Sequence, residues 1–345
     1  LSLHDALPIC PPGGDFMQGF QKVVGHQEII THLQNAISMN KVSHAYLFGG
    51  ESGSGKKMMA SLFAMTLQCE KHGVEPCMEC PSCKKAQSQN HPDIIYVKHE
   101  KPNTISIDEI REQLINDVMI KPYSSPYKIY IIDEAQKLTL QAQNALLKTI
   151  EEPPAYAVVM LLADNPDALL PTISSRCVQL NLKPVGDQLV KDYLMNEMHV
   201  PDYQAEVDAS LAQGNIGKAE RIARSPEYEE TLESALRMAK YADSMPLYEI
   251  VETIKKLTAE KDNIDDYFDI FSLWFRDVLL FKATKEVDSL VFKQELNGIR
   301  ERANKSSYEG LEKIIEAIQK ARARLNANVN FDLTMELMFL TMKEN

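Results

Sequence analysis

From Gln18 onward, short apolar runs alternate with longer segments in which apolar residues recur every three or four positions. Five runs predict strands: HAYLFG (44–49), DIIYVK (93–98), KIYIID (128–133), AVVMLLA (157–163) and CVQLNL (177–182). Strands separated by helical stretches predict a parallel sheet flanked by helices, an α/β fold. The helices between them are well punctuated. Ser106 and Glu109 in SIDE have capping-box spacing, so the hydroxyl can take an orphan amide while the carboxylate reaches back. In QAQNALLKTIEE, Ala142, Ala145, Leu146, Thr149 and Ile150 share one face, and Pro153-Pro154 stops the helix.

After about Lys183 the strand signal disappears and only helical spacing remains. A short stretch runs to about Arg224 and includes GNIGKAERIA (214–223), a turn leading into a helix. From about Ser225 the chain contains FDIFSLWFRDVLLF (268–281) and LEKIIEAIQKARARL (311–325). In the second, Leu311, Ile314, Ile315, Ile318 and Leu325 recur at helical spacing. This predicts a helical bundle whose surplus apolar surface packs on neighbouring subunits. No internal repeat or low-complexity linker interrupts it.

Composition narrows the picture. A chain of 345 residues, 44% hydrophobic and 25% charged, is ordinary for a globular protein of two or three domains. No apolar run approaches the roughly 20 residues that cross a bilayer, and nothing resembles a secretory signal, so a cytoplasmic location is expected. The net charge of −12 argues against a chain that coats itself on nucleic acid, since that needs clustered Lys and Arg. The opening LSLHDALPICPPGGDF is turn-rich and aperiodic, and it ends just before Met17. Residues 1–16 read as a non-native scar, Cys10 among them, and fold reasoning begins at Met17.

Residues 50–57, GESGSGKK, follow the first strand and open a helix, the context that makes G-x-x-x-x-G-K a phosphate-binding loop. Gly50, Gly53, Ser54 and Gly55 shape a backbone cradle, and Lys56 can reach the outer phosphates. Position 57 normally carries the Ser or Thr hydroxyl that ligates magnesium. Here it is Lys57, whose ammonium has no lone pair to offer a metal. Aimed at a magnesium ion 4 Å away, it would be repelled by about 4 kcal/mol per unit of metal charge at an effective dielectric of 20. The expected rotamer therefore swings away, or onto a phosphate, and hydrolysis suffers more than binding. Asp133 and Glu134, ending KIYIIDEAQ, occupy the place of a magnesium-associated carboxylate and a water-polarising Glu.

Cys69, Cys77, Cys80 and Cys83 are spaced C-x7-C-x2-C-x2-C, which suits four thiolates closing a tetrahedron on a structural zinc. Two alternatives stay open. Disulfides are disfavoured in a reducing cytoplasm, and an iron–sulfur cluster would share the C-x2-C-x2-C start. His72 reads as a surface histidine that could also replace one ligand.

Taken in order, the loop, the four-cysteine insert, IIDEAQKL, NALLKTIEEPP and ISSRC resemble the bacterial DNA polymerase III clamp-loader subunits of the AAA+ superfamily, over essentially residues 18–345. The resemblance implies an AAA+ P-loop domain with a zinc insert (17–183, insert 69–83), a helical lid (184–224) and an all-α collar for oligomerisation (225–345). Within that family the departures point to the non-hydrolysing delta prime type rather than the gamma/tau motor. Position 57 is Lys, and the lid position that carries a sensing Arg in a motor aligns with Gly217, beside Lys218. Asn165 aligns near the usual polar sensor. By resemblance, Arg176 of SSRC is an arginine finger acting in trans on a neighbour's ATP. The implied partners are gamma/tau and delta, and through them the sliding clamp and primed DNA. No autonomous ATPase activity is expected, and of ATP, Mg2+ and Zn2+ only the last is an expected cofactor. The competing reading is an active gamma/tau-like ATPase in which Asp133 and Glu134 suffice to hold the metal. A third makes the cysteine module a nucleic-acid contact, although only Lys84 and Lys85 follow it and no aromatic residue is there to stack on bases.

Overall fold

The computed structural model describes residues 19–259, 261–327 and 329–345. The anomalous opening, with Cys10 and Met17, lies outside the described residues. The chain divides into two compact units, one ending at Val185 and the other beginning at Gly186.

The first unit is built on five parallel strands: β1 (Ala45–Gly49), β2 (Ile94–Tyr96), β3 (Lys128–Ile132), β4 (Ala157–Ala163) and β5 (Val178–Asn181). Each lies inside one of the five runs read as strands. Their order across the sheet is β2-β3-β4-β1-β5, the parallel sheet expected of an AAA+ P-loop domain. β1, β3 and β4 are buried along their whole length, which is why they read as continuous apolar runs.

The period of two still divides their side chains between the faces. Tyr46, Phe48, Ile131 and Met160 join one core, with Leu33 of α1 (Gln27–Ser38), Phe63 of α2 (Lys56–Leu67) and Ala86 of α3 (Pro81–Gln87). Leu47, Ile132 and Leu161 join the other, with Ile110 of α4 (Ile107–Ile110), Leu146 of α5 (Leu140–Glu151) and Ile173 of α6 (Pro171–Ser174).

Local chemistry sets the helix ends. At α4 the capping box is formed: the Ser106 hydroxyl accepts from the Glu109 amide at 3.3 Å, and the Glu109 carboxylate accepts from the Ser106 amide at 2.6 Å. α5 starts on the Thr139 hydroxyl, which accepts from the Ala142 amide, and ends before Pro153-Pro154. Its buried face contains Ala142, Leu146, Thr149 and Ile150 as the spacing predicts, but Ala145 is only half-buried and Gln143 is buried. Gln143 can be interior because both ends of its amide are satisfied, donating to Leu138 O (3.1 Å) and accepting from Leu170 N (2.8 Å).

The second unit consists of α7 (Asp187–Glu197), α8 (Asp202–Ala212), α9 (Ile216–Arg224), α10 (Pro226–Tyr241), α11 (Leu247–Ala259), α12 (Ile264–Thr284), α13 (Leu296–Lys305), α14 (Tyr308–Asn326) and α15 (Phe331–Glu344), with short 3-10 turns between. α12 is its axis. It buries Tyr267, Phe268, Phe271, Trp274 and Phe275, and α10, α13 and α14 pack around it. A helix apolar on so many sides belongs inside a bundle. On α14, Leu311, Ile314 and Ile318 are buried, while Ile315 and Leu325 are half-buried. No helix among the described residues is long and apolar enough to cross a membrane.

Candidate functional site

In an all-parallel sheet every strand ends on the same edge, and ligands bind outside that edge. β1 lies beside β4 and β4 beside β3, so the segments leaving these three strands are neighbours. They hold the loop 50–57, the pair Asp133-Glu134 and the stretch Asp164-Asn165.

The loop has the backbone of a cradle. Gly50, Gly53 and Gly55 take φ of 147°, 82° and 93°, a region side chains disfavour. At Gly50 a Cβ would also sit 2.7 Å from the Leu182 carbonyl. Lys56 opens α2 and is 7% exposed. Its ammonium donates to Gly50 O (2.6 Å), Glu51 O (2.8 Å) and Asp164 Oδ1 (2.7 Å). Those three bonds use all of its donors.

The Lys57 ammonium is directed at the neighbouring strand end, 3.1 Å from Asp133 Oδ2. This differs from the expected rotamer, which pointed away or onto a phosphate. The expectation weighed repulsion by a metal and overlooked attraction by the carboxylate that would hold the metal. Glu134 has a left-handed backbone (φ 51°), and its carboxylate meets Lys137 at 2.6 Å and His99 at 3.5 Å.

Asn165 follows Asp164 just past the end of β4. Its side chain accepts from the Asp167 amide at 3.1 Å and caps a 3-10 turn. The residue that reaches Lys56 is Asp164, held in turn by Gln136, whose amide donates to Asp164 Oδ2 and accepts from Asp164 N, both at 3.2 Å. Neither Asp164 nor Gln136 carries a motif signal; only the strand register brings them to the loop.

The residues present do not fit magnesium. Position 57 offers no lone pair, and the strand-end carboxylate is neutralised by Lys57. They do fit a phosphate, because the glycine turn and the α2 N-terminus present amides. The Ser54 hydroxyl, with under 1 Å² exposed, has no hydrogen-bond partner among the described residues.

Arg176 lies just past α6 and is 42% exposed. Its guanidinium donates to Thr172 O and pairs with Glu151 at the end of α5, both at 2.9 Å. In the helical unit, Gly217 and Lys218 open α9 behind an Asn215 cap. The Lys218 ammonium pairs with Asp269 of α12, a carboxylate shared with Arg322 of α14. Its charge is thus paired within its own unit.

The four cysteines meet. The sulfurs of Cys69, Cys77, Cys80 and Cys83 all lie within 4.8 Å of one another, with Cys77 and Cys83 at 4.0 Å. A zinc with four sulfurs at about 2.3 Å spaces them by about 3.8 Å. Three backbone amides also point at sulfur: Cys77 N at Cys69 (3.5 Å), Cys80 N at Cys77 (3.4 Å) and Cys83 N at Cys80 (3.4 Å). Burial pushes the Cys77 thiol up, but the amides of Cys80 and Glu79 and the neighbouring thiols outweigh it and hold it at about 6. His72 sits outside the cluster on an exposed turn. The module is tied to the sheet unit through Ser82, whose hydroxyl donates to Gln68 O at 2.6 Å and lies 3.1 Å from His91 Nε2.

The family described as DNA polymerase III, delta subunit matches residues 25–186, and its C-terminal counterpart matches residues 231–344. The chain is 31% identical over 316 residues to the DNA polymerase III subunit delta' of Bacillus subtilis (strain 168), spanning 90% of this chain and 94% of that protein. It is 30% identical over 331 residues to the tau subunit of the same organism, spanning 89% of this chain but 58% of tau. Among solved structures, a gamma subunit-related protein from Thermotoga maritima aligns over 91% of this chain and 98% of its own, at 19% identity and a TM-score of 0.49.

Proposed function

This chain belongs to the DNA polymerase III delta-subunit family, and from that premise we propose that it is a delta prime-type clamp-loader subunit that lends chemistry to its neighbours. The observation that carries this reading is the Lys57–Asp133 ion pair at 3.1 Å. An ammonium and its carboxylate occupy the two positions from which a motor would hold magnesium, so this chain hydrolyses little ATP by itself.

Its contribution to turnover is Arg176. The side chain is exposed, and a neighbouring subunit's phosphates can replace its ion pair with Glu151. A guanidinium brought to transition-state charge in trans raises hydrolysis by roughly a thousandfold or more in comparable sites. Residues 184–224 act as the lid and 225–345 as the collar through which gamma/tau and delta assemble with it. The sliding clamp and primed DNA are reached through that assembly.

The cysteine cluster holds zinc. Four protein thiolates leave no open position, so the ion supplies a cross-link and no catalysis. The chain's own residues define the module: Cys80 both ligates and caps α3, accepting from the Cys83 amide.

The test is reconstitution with gamma/tau and delta, measuring DNA-stimulated ATP hydrolysis with the native chain and with Arg176→Ala. Loss of stimulated turnover with assembly intact is the expected result. Unchanged turnover in a complete assembly overturns the finger assignment, and rapid magnesium-dependent hydrolysis by the isolated chain overturns the non-motor reading.

A further inference from the structure

We infer that the loop 50–57 takes a nucleoside polyphosphate without a divalent metal, Lys57 replacing the ion and Asp164 competing with phosphate for Lys56. This deepens the reading of a degenerate nucleotide site and rests on it.

Three observations converge. First, in a working loop the cation bridges the hydroxyl at position 57, the strand-end carboxylate and the phosphates. Here the Lys57 ammonium already holds Asp133 at 3.1 Å. It keeps two more donors, so it can bond a phosphate oxygen without leaving Asp133. A magnesium ion arriving with the nucleotide would meet a like charge and a carboxylate already paired. The metal-free anion meets neither obstacle.

Second, all three donors of Lys56 are taken, and only one of its partners, Asp164, is a side chain. A phosphate reaching Lys56 must displace that carboxylate, whose other oxygen accepts from Gln136 while the Asp164 backbone amide donates back to the same side chain. Asp164 thus occupies the lysine much as a phosphate oxygen would. Third, the buried Ser54 hydroxyl is without a partner among the described residues and lies against Gly50, where an added Cβ would come within 3.0 Å of it. A hydroxyl left without a partner in the loop is a donor that a phosphate oxygen would satisfy.

The experiment is calorimetric or fluorescence titration of the full chain with ATP, in EDTA and in excess magnesium. The native chain is expected to bind at least as tightly in EDTA as in magnesium. Lys57→Thr, which restores the hydroxyl and frees Asp133, is expected to reverse that order. Asp164→Asn is expected to tighten binding in both conditions by about tenfold, the equivalent of one charge-assisted hydrogen bond no longer competing.

Magnesium-dependent binding by the native chain overturns the inference while leaving a phosphate cradle in place. Absence of binding by both the native chain and Asp164→Asn removes the cradle as well. Neither result bears on Arg176 or on assembly, which the reconstitution tests separately. Should Lys57→Thr fail to fold by circular dichroism, the native chain in the two buffers still decides.

Discussion

The Lys57 ammonium stands 3.1 Å from Asp133 Oδ2, joining the end of the glycine loop 50–57 to the end of the neighbouring strand but one. Both side chains are partly exposed, at 50% and 39%. Solvent screens such a pair, which is worth about 0–1 kcal/mol. Lys57→Ala is therefore expected to leave the urea-unfolding free energy within about 1 kcal/mol of the native chain. The pair has a consequence for ligands rather than for folding, and a larger loss of stability would contradict that division.

Loss of the zinc proposed for the four-cysteine cluster is expected to act locally. Cys80→Ser, or prolonged chelation, is expected to abolish metal content at the four-cysteine cluster. Amide exchange should then accelerate across residues 69–91 while β3 and β4, buried along their length, keep their protection. Cobalt exchanged into the site should give the thiolate charge-transfer bands of a tetrahedral centre. An absorbing iron–sulfur chromophore in freshly prepared anaerobic protein would instead select the other metal.

Arg176 is expected to be silent in the isolated chain. Its ion pair with Glu151 is half-exposed, so Arg176→Ala should shift the unfolding free energy by no more than about 1 kcal/mol. In the assembly, Arg176→Lys should behave like Arg176→Ala, because a point charge does not reproduce a planar fork on phosphate oxygens. Full rescue by Lys would show that only the charge matters.

Asp208 on α8 makes stability depend on pH. Burial pushes its carboxyl up to about 6; the hydrogen bond from Gln204 opposes this and the charge of Glu229 adds to it. The folded chain thus binds more protons than the unfolded chain between the ordinary carboxylate range and about 6, and stability from this group falls as pH rises through that window. Asp208→Asn is expected to raise the thermal midpoint at pH 8 and to leave it nearly unchanged at pH 4. An equal effect at both would show that the carboxylate is not the cause.

Asp277 on α12 is fully buried and accepts from the amides of Val291 (2.8 Å) and Phe292 (2.9 Å), while Arg276 pairs with its other oxygen. Asp277→Ala leaves two amides near the helix without a partner and is expected to cost about 3 kcal/mol, read by denaturant unfolding. Asp277→Asn, which keeps one acceptor, should lose less.

The strands, the capping box at Ser106, the helical second half and the four-cysteine module were legible along the chain because each rests on contacts between near neighbours. Apolar period, a Ser-x-x-Glu spacing and thiols a few residues apart are local signals, and burial then rewards the pattern they set. What the chain order does not contain is which loops meet. Lys56 and Asp164 are 108 positions apart, and Lys57 and Asp133 lie in separate segments; parallel pairing in the order β3-β4-β1 makes them neighbours. That is why Asp164 carried no signal in the sequence, and why Lys57 was expected to swing away or onto a phosphate and not onto Asp133. The partner of Lys218, Asp269, is likewise set by helix packing and not by chain order. Residue identity determined what chemistry the chain possesses, and the sheet register and helix packing decided which charges face one another, because an electrostatic partner is chosen by distance in space.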